Sequence, residues 1–207
     1  MNAKRIKEIL GLPLWPLVWL LDRMRIHPNI LTLLGLAGSL CAAWLFTFWP
    51  MPLAALVMLA AGLLDTLDGK VARRSGKESR FGGFLDSSAD RVAEFAIFGA
   101  LMWRFRPDPP VVIVLFIGLV GSVMVSYTRA RGEGLDKQTK AGPMSRAARY
   151  FYIILTSFLP GAWFIYLIIL FDLLTWITVA RRCVELYTLL SPLKKEREDP
   201  ASKKERR

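Results

Sequence analysis

Apolar residues run in long blocks along this chain, and polar residues collect in the gaps between them. The blocks cover residues 29–49, 53–72, 82–103, 111–131, 146–159 and 162–180. Most reach or approach the roughly 20 residues an α-helix needs to cross a bilayer. Prolines punctuate one set of gaps: Pro50 and Pro52, the stretch 104–110, and Pro160 beside Gly161. The other gaps, 73–81 and 132–145, are rich in Lys, Arg, Gly and Ser. Short turns thus alternate with polar loops, and the pattern predicts an all-α integral membrane protein with six transmembrane helices. Ahead of them, Lys4, Arg5 and Lys7 precede the apolar run 14–21, and Asp22, Arg23 and Arg25 follow it. That run is too short to cross a membrane comfortably. Its flanking bases, with Trp15 and Trp19, predict an interfacial amphipathic helix, bent or broken by Pro13 and Pro16. The competing reading is a short extra span. The expected division is therefore an interfacial segment at 1–28, a six-helix domain at 29–182 and a basic cytoplasmic tail at 183–207. The tail opens as an amphipathic helix near 184–193.

Composition agrees with this. Hydrophobic residues make up 54% of the 207, and mean hydropathy is +0.37, above the range of soluble domains. The net charge of +11 raises nucleic acid as a partner, but its placement argues for a membrane. All of the 28 Lys and Arg except Arg104 and Arg106 fall on one side of the predicted spans. That is the positive-inside pattern, with both termini cytoplasmic. The bases also suit anionic lipid headgroups or a phosphorylated substrate. Cys41 and Cys183 match no metal spacing and read as free thiols. His27, before Pro28, reads as a surface residue at a helix entrance.

The chemistry concentrates in residues 65–90. Asp65 and Asp68 are three apart and share one helix face; Asp86 and Asp90 are four apart and share a face of the next helix. Four carboxylates so close repel one another unless cations lie between them, and carboxylates at membrane helices are functional candidates by default. The bland alternative is an acidic solvated loop. Against it, Lys70, Arg73, Arg74, Lys77, Arg80 and Arg91 are interleaved with the acids. Hard oxygen ligands favour one or two divalent ions, Mg²⁺ or Mn²⁺. A paired site of that kind neutralises and orients phosphate oxygens during in-line displacement. Arg73 is placed to grip a phosphate, and Gly69, Ala72, Gly82 and Gly83 clear space for a ligand against the helices.

The full pattern D-x2-D-G-x2-A-R-x8-G-x3-D-x3-D is present as Asp65, Asp68, Gly69, Ala72, Arg73, Gly82, Asp86 and Asp90. It resembles the signature of the CDP-alcohol phosphatidyltransferases. The six-span plan and the stretch Pro28-Asn29-x2-Thr32 fit as well, so the resemblance covers most of the chain. It implies transfer of a phosphatidyl group from CDP-diacylglycerol to an alcohol, with release of CMP. It implies two metal ions held by Asp65, Asp68 and Asp86, with Asp90 approaching them and serving as general base. Asn29, Thr32, Gly69, Ala72, Arg73 and Gly82 would hold the nucleotide. It further implies a homodimer in the cytoplasmic membrane, with the active site on the cytoplasmic face.

Residues 126–134, SYTRARGEG, are similar to the S-Y-x-[KR]-A-R-x-E stretch of the phosphatidylinositol-phosphate synthases, as is Asp90-Arg91. That branch holds its acceptor's phosphate in a pocket of bases, which carries over to Arg129 and Arg149, with Arg181 or Arg182 completing it. Its usual G-x2-E-R-x-E-R is here Gly142-Pro-Met-Ser145-Arg146-Ala-Ala148-Arg149, keeping the glycine and both arginines and losing both glutamates. The more basic pocket favours an anionic acceptor, inositol phosphate first and glycerol 3-phosphate second. For Arg146 and Arg149 the plain alternative is positive-inside anchoring. A small cation transporter is the competing class, for which the carboxylates would sit near mid-membrane; a non-catalytic scaffold would leave the aspartate register dispensable.

Overall fold

A computed structural model describes residues 15–139 and 141–191. The expectations placed on 1–14, on Lys140 and on the tail from 192 onward lie outside these residues. Every regular element among them is an α-helix, in the order α1 Trp15–Arg23, α2 Pro28–Phe48, α3 Met51–Ser75, α4 Arg80–Arg104, α5 Pro109–Glu133, α6 Arg146–Thr156 and α7 Gly161–Leu190. The chain divides into two compact units, Met1–Pro107 and Asp108–Arg207.

In the first unit, α2 is the central helix and packs against both α3 and α4. Its start is set by His27, whose Nδ1 accepts the Asn29 backbone N–H, and by Pro28 in the first turn. The surface histidine of the sequence reading is thus a helix cap. The seam between α2 and α3 is made of small residues. A Cβ on Gly38 would lie 3.0 Å from the Ala61 Cβ, and one on Gly35 would lie 3.5 Å from the Asp65 backbone nitrogen. Such close approach fits membrane helices, which gain from tight packing in place of a hydrophobic effect. Ala61 is buried in this seam and Ala60 points outward.

Helix α3 ends at Gly76, whose φ of +65 is the left-handed conformation of a helix C-cap. Ser79 then caps α4 by accepting the Gly82 N–H. Only residues 76–79 separate the two helices, so α3 ends close to where α4 begins. Arg104 closes α4 at its far end by donating to the carbonyls of Phe46 and Trp49. Helix α1 lies against α3: Val18 is buried with Leu31, Leu67 and Val71. Arg74 Nε is 3.0 Å from Asp22 Oδ2, and the same guanidinium lies 4.9 Å from the Trp15 ring centre. Trp15, Leu17, Trp19, Leu20 and Met24 stay exposed. At 9 residues, α1 rises about 14 Å, too short for a span, and its exposed apolar face fits the interfacial reading.

In the second unit α7 packs along α5, and the shorter α6 touches both. Gly121 permits the first contact, since a Cβ there would lie 3.1 Å from Thr175 Cγ2 and from Trp176 Nε1. Tyr152 on α6 donates its hydroxyl to the Leu167 carbonyl at 2.7 Å and sets its ring at a tilt of 54° against Phe171.

Among the described residues, four helices are long and apolar enough to cross a membrane: Pro28–Phe48, Met51–Ser75, Pro109–Glu133 and Trp163–Leu190. The protein is a multi-pass membrane protein, and many large apolar side chains, such as Leu33, Trp44, Phe116 and Leu173, point outward as lipid-facing residues do. The other two predicted spans differ for physical reasons. Helix α4 is long but carries Arg80, Asp86, Asp90, Arg91, Glu94 and Arg104. Helix α6 has 11 residues and ends in turns over 157–159. The last helix runs ten residues past the expected end at 180, to Leu190. It absorbs most of the helix expected over 184–193, because neither Gly nor Pro interrupts it before Pro192.

Candidate active site

The aspartates sit where α3 and α4 face each other. Carboxylate oxygens of Asp65, Asp68 and Asp86, one from each residue, all lie within 4.8 Å of one another. Two come from adjoining positions on one face of α3 and the third from the second turn of α4. An all-oxygen set of concentrated negative charge suits a hard divalent cation. Asp68 is buried, and Thr32 Oγ1 on α2 donates to its Oδ2 at 2.5 Å. The central helix therefore orients a carboxylate of the cluster, as groups behind metal ligands do. Asp90 lies one turn beyond Asp86, is also buried, and is not among the three clustered residues. Its Oδ2 is 3.9 Å from Arg91 Nη2, and Arg91 also faces Glu94 at 3.5 Å.

A cavity of about 180 Å³ opens beside the cluster. Helix α2 contributes Pro28, Asn29 and Thr32; α3 contributes Asp68, Gly69, Ala72 and Arg73. The connecting residues Lys77, Glu78 and Ser79 form one wall, and Gly82, Gly83 and Asp86 of α4 complete it. All six residues expected to meet a nucleotide thus line one cavity. Two glycines there have different work. A Cβ on Gly82 would come within 3.1 Å of Ser79 Oγ and 3.3 Å of Asn29 Oδ1, so a larger residue would press on the cap of α4 and on the Asn29 side chain. A Cβ on Gly69 would meet the Arg73 guanidinium only at ordinary contact distance, 3.6 Å. No protein atom requires a glycine at 69, which fits space kept for a ligand.

Lys77, Glu78 and Ser79 were not singled out from sequence. Ser79 carried a readable signal, a serine one position before a helix start. Lys77 and Glu78 carried none, since a charged pair in a loop is ordinary.

The bases expected at the acceptor belong to the second unit, and the structure treats them unequally. Arg149, at the start of α6, is 2% exposed. Its Nη1 donates to the Met144 carbonyl at 3.2 Å and its Nη2 to Ser126 Oγ on α5 at 3.1 Å. Arg182 on α7 is 6% exposed and spans from the Ala141 carbonyl to the Val125 carbonyl. Arg129 is largely exposed and pairs with Glu133 at 2.8 Å. Arg129 and Arg182 lie close enough to repel each other, and Glu185 offsets part of that repulsion. Arg146 is half-buried at the first position of α6, and Arg181 is exposed. Arg149 and Arg182 are therefore tied to one network of α5, α6, α7 and the loop between the first two, while Arg129 pairs within α5. Among the described residues, Arg181 stands outside it, exposed on α7.

A family model described as CDP-alcohol phosphatidyltransferase matches residues 25–186. An archaetidylinositol phosphate synthase from Pyrococcus horikoshii is 38% identical over 169 residues, covering 80% of this chain and 86% of the relative. Among solved structures, the phosphatidylinositol phosphate synthase of Mycobacterium tuberculosis with CDP-DAG bound superposes with a TM-score of 0.77 at 30% identity, covering 84% of this chain and 92% of that one. The same enzyme in complex with manganese and citrate gives a TM-score of 0.73 at 29% identity over 84% and 88% of the two chains.

Proposed function

The chain belongs to the CDP-alcohol phosphatidyltransferase family, and on that premise we propose that it transfers the phosphatidyl group of CDP-diacylglycerol to inositol phosphate, releasing CMP. The observation that carries the reading is the meeting of Asp65, Asp68 and Asp86 beside the cavity lined by Asn29, Thr32, Gly69, Ala72, Arg73 and Gly82. Relatives that make inositol-phosphate lipids support the acceptor, as does the basic network of the second unit.

The carboxylates of Asp65, Asp68 and Asp86 would hold the divalent ions, Mg²⁺ or Mn²⁺, with Asp90 one turn further along α4. When bound, the ions neutralise the pyrophosphate and polarise the phosphorus under attack. The residues of the chain do the rest. Asn29, Thr32, Ala72 and Gly82 bound the nucleotide, and Gly69 leaves room for it. Arg73 donates to pyrophosphate oxygens and steadies the charge that develops on the departing CMP. Asp90 takes the proton of the acceptor hydroxyl as that oxygen attacks the β-phosphorus. Arg129, Arg149 and Arg182 bind the acceptor's own phosphate, with Arg146 and Arg181 adding positive potential around it.

The working arrangement is a homodimer in the cytoplasmic membrane. Helices α4 and α6 complete six spans, and both termini and the active site face the cytoplasm. The one-sided distribution of Lys and Arg supports this orientation. The domain is 29–182, flanked by the interfacial segment 1–28 and the basic tail 183–207.

The test is an acceptor screen. Purified protein in detergent, with Mg²⁺ and CDP-diacylglycerol, is given inositol phosphate, glycerol 3-phosphate or free inositol, and CMP is measured. CMP release with inositol phosphate alone is the expected result. Release with glycerol 3-phosphate in its place would make the enzyme a phosphatidylglycerophosphate synthase.

A further inference from the structure

The loop ahead of α6 is gripped by one face of α7, and the grip ends at the buried arginine. Thr178, Arg182 and Glu185 are spaced four and three apart, which stacks them on a single helix face. Glu185 Oε2 accepts the Ala141 N–H at 3.2 Å, while Arg182 Nε donates to the Ala141 carbonyl, also at 3.2 Å. Both polar groups of one residue's backbone are thus held by side chains of α7. Arg182 Nη1 reaches on to the Val125 carbonyl of α5 at 2.6 Å. Thr178 Oγ1 accepts the Met144 N–H at 3.1 Å and donates to Leu174 O at 2.8 Å, so its orientation is set from both sides. Between the two gripped residues, Gly142 has a φ of +97, and any Cβ there would collide with the Cα, Cβ and Cγ2 of Thr178. The loop lies flat on α7 because this position is glycine.

The consequence falls on Arg149. Its guanidinium donates to the carbonyl of Met144, the residue whose N–H Thr178 holds. The next residue, Ser145, caps α6 by accepting the Ala148 N–H. The direction of α6 and the place of its arginine are therefore set by a loop that α7 holds. We propose that Thr178 and Glu185 are positioning residues for the acceptor's phosphate: they fix loop 141–145 and thereby aim Arg149. This rests on the reading of Arg129, Arg149 and Arg182 as the acceptor site. Neither Thr178 nor Glu185 touches substrate in it, and neither is needed by the donor.

Four variants of the full-length protein test this: Thr178→Val and Glu185→Ala, which remove the accepting oxygen, and Thr178→Ser and Glu185→Gln, which keep one. The first pair is expected to raise the KM for inositol phosphate about tenfold. Both should leave kcat and the KM for CDP-diacylglycerol within about twofold, the signature of lost ground-state binding. The second pair should stay near wild type. Hydrogen exchange should quicken at the Ala141 amide in Glu185→Ala and at the Met144 amide in Thr178→Val. Unchanged acceptor KM in both removing variants would overturn the proposal, as would equal damage to both substrates. Amide exchange that stays slow overturns the grip whatever the acceptor. Wild-type protein that uses glycerol 3-phosphate instead would overturn the acceptor assignment, and the same KM comparison is then made with that acceptor.

Discussion

Thr32 has one hydroxyl proton, and it points at Asp68 Oδ2. That bond holds the side chain in one orientation beside the cluster. Losing such a partner costs metal sites about 10- to 100-fold in affinity. Thr32→Val should therefore raise the Mg²⁺ or Mn²⁺ concentration needed for half-maximal activity by about that factor, while Thr32→Ser stays near wild type. A metal titration of CMP release reads this directly. Asp90 carries a different load. Asparagine keeps its shape and loses its basicity, so Asp90→Asn should lower kcat by at least about 100-fold with an unchanged thermal melt. Wild-type turnover in that variant would remove Asp90 from the mechanism. Gly82 is a third single-residue case. Alanine there presses on Ser79 Oγ and Asn29 Oδ1, so Gly82→Ala should weaken CMP inhibition and lower activity without unfolding the protein.

At the scale of elements, the clustered carboxylates depend on how closely helices approach. Gly38 against Ala61, and Gly35 against the backbone of Asp65, bring α2 and α3 together just beside the acidic face. Gly38→Val should cost about 1–3 kcal/mol by overpacking, read as a lower unfolding midpoint in detergent, and should reduce metal-dependent activity because α3 is displaced. Much at this scale was legible in the sequence. The block pattern placed α2, α3, α4 and α5 to within about three residues, because prolines and glycines mark their ends. Gly76 and Ser79, the actual helix stop and start, fell inside what the pattern treats as one polar loop over 73–81. The seam was half legible: small residues cluster at 60–62, but only packing reveals that Ala61 faces α2 and Ala60 does not. The last helix was cut short in the sequence reading, since Arg181 and Arg182 end the apolar block without ending the helical conformation. That cut hid Glu185, whose partner lies 44 residues away. A loop amide held by a distant carboxylate leaves no local pattern.

At the scale of the whole molecule, two physical facts combine: helices apolar enough for a membrane, and a cluster of acids where one of them, α3, faces the more charged α4. The spacing of Asp65 with Asp68 is helix geometry and was readable by itself. Their meeting with Asp86 required the short link 76–79 and a common packing partner in α2, which sequence spacing alone does not display. The charged face of α4 and the brevity of α6 set these two apart from the four plainly apolar spans, and hydropathy blocks did not separate them. The proposed acceptor site was legible as a set of arginines but not as a network, because the carbonyls and hydroxyl that hold Arg149 and Arg182 come from two segments, α5 and the loop ahead of α6, far apart from Arg182 in the sequence.

The central claim is that these carboxylates work through divalent metal on a CDP-activated lipid. The direct measurement is CMP release from CDP-diacylglycerol and inositol phosphate by the purified protein, after chelation and after Mg²⁺ or Mn²⁺ is restored. The account predicts no turnover in chelator, recovery on adding either ion, and no recovery in Asp68→Asn at the same metal concentration. Undiminished CMP release from thoroughly chelated protein, or full activity in Asp68→Asn, would contradict it.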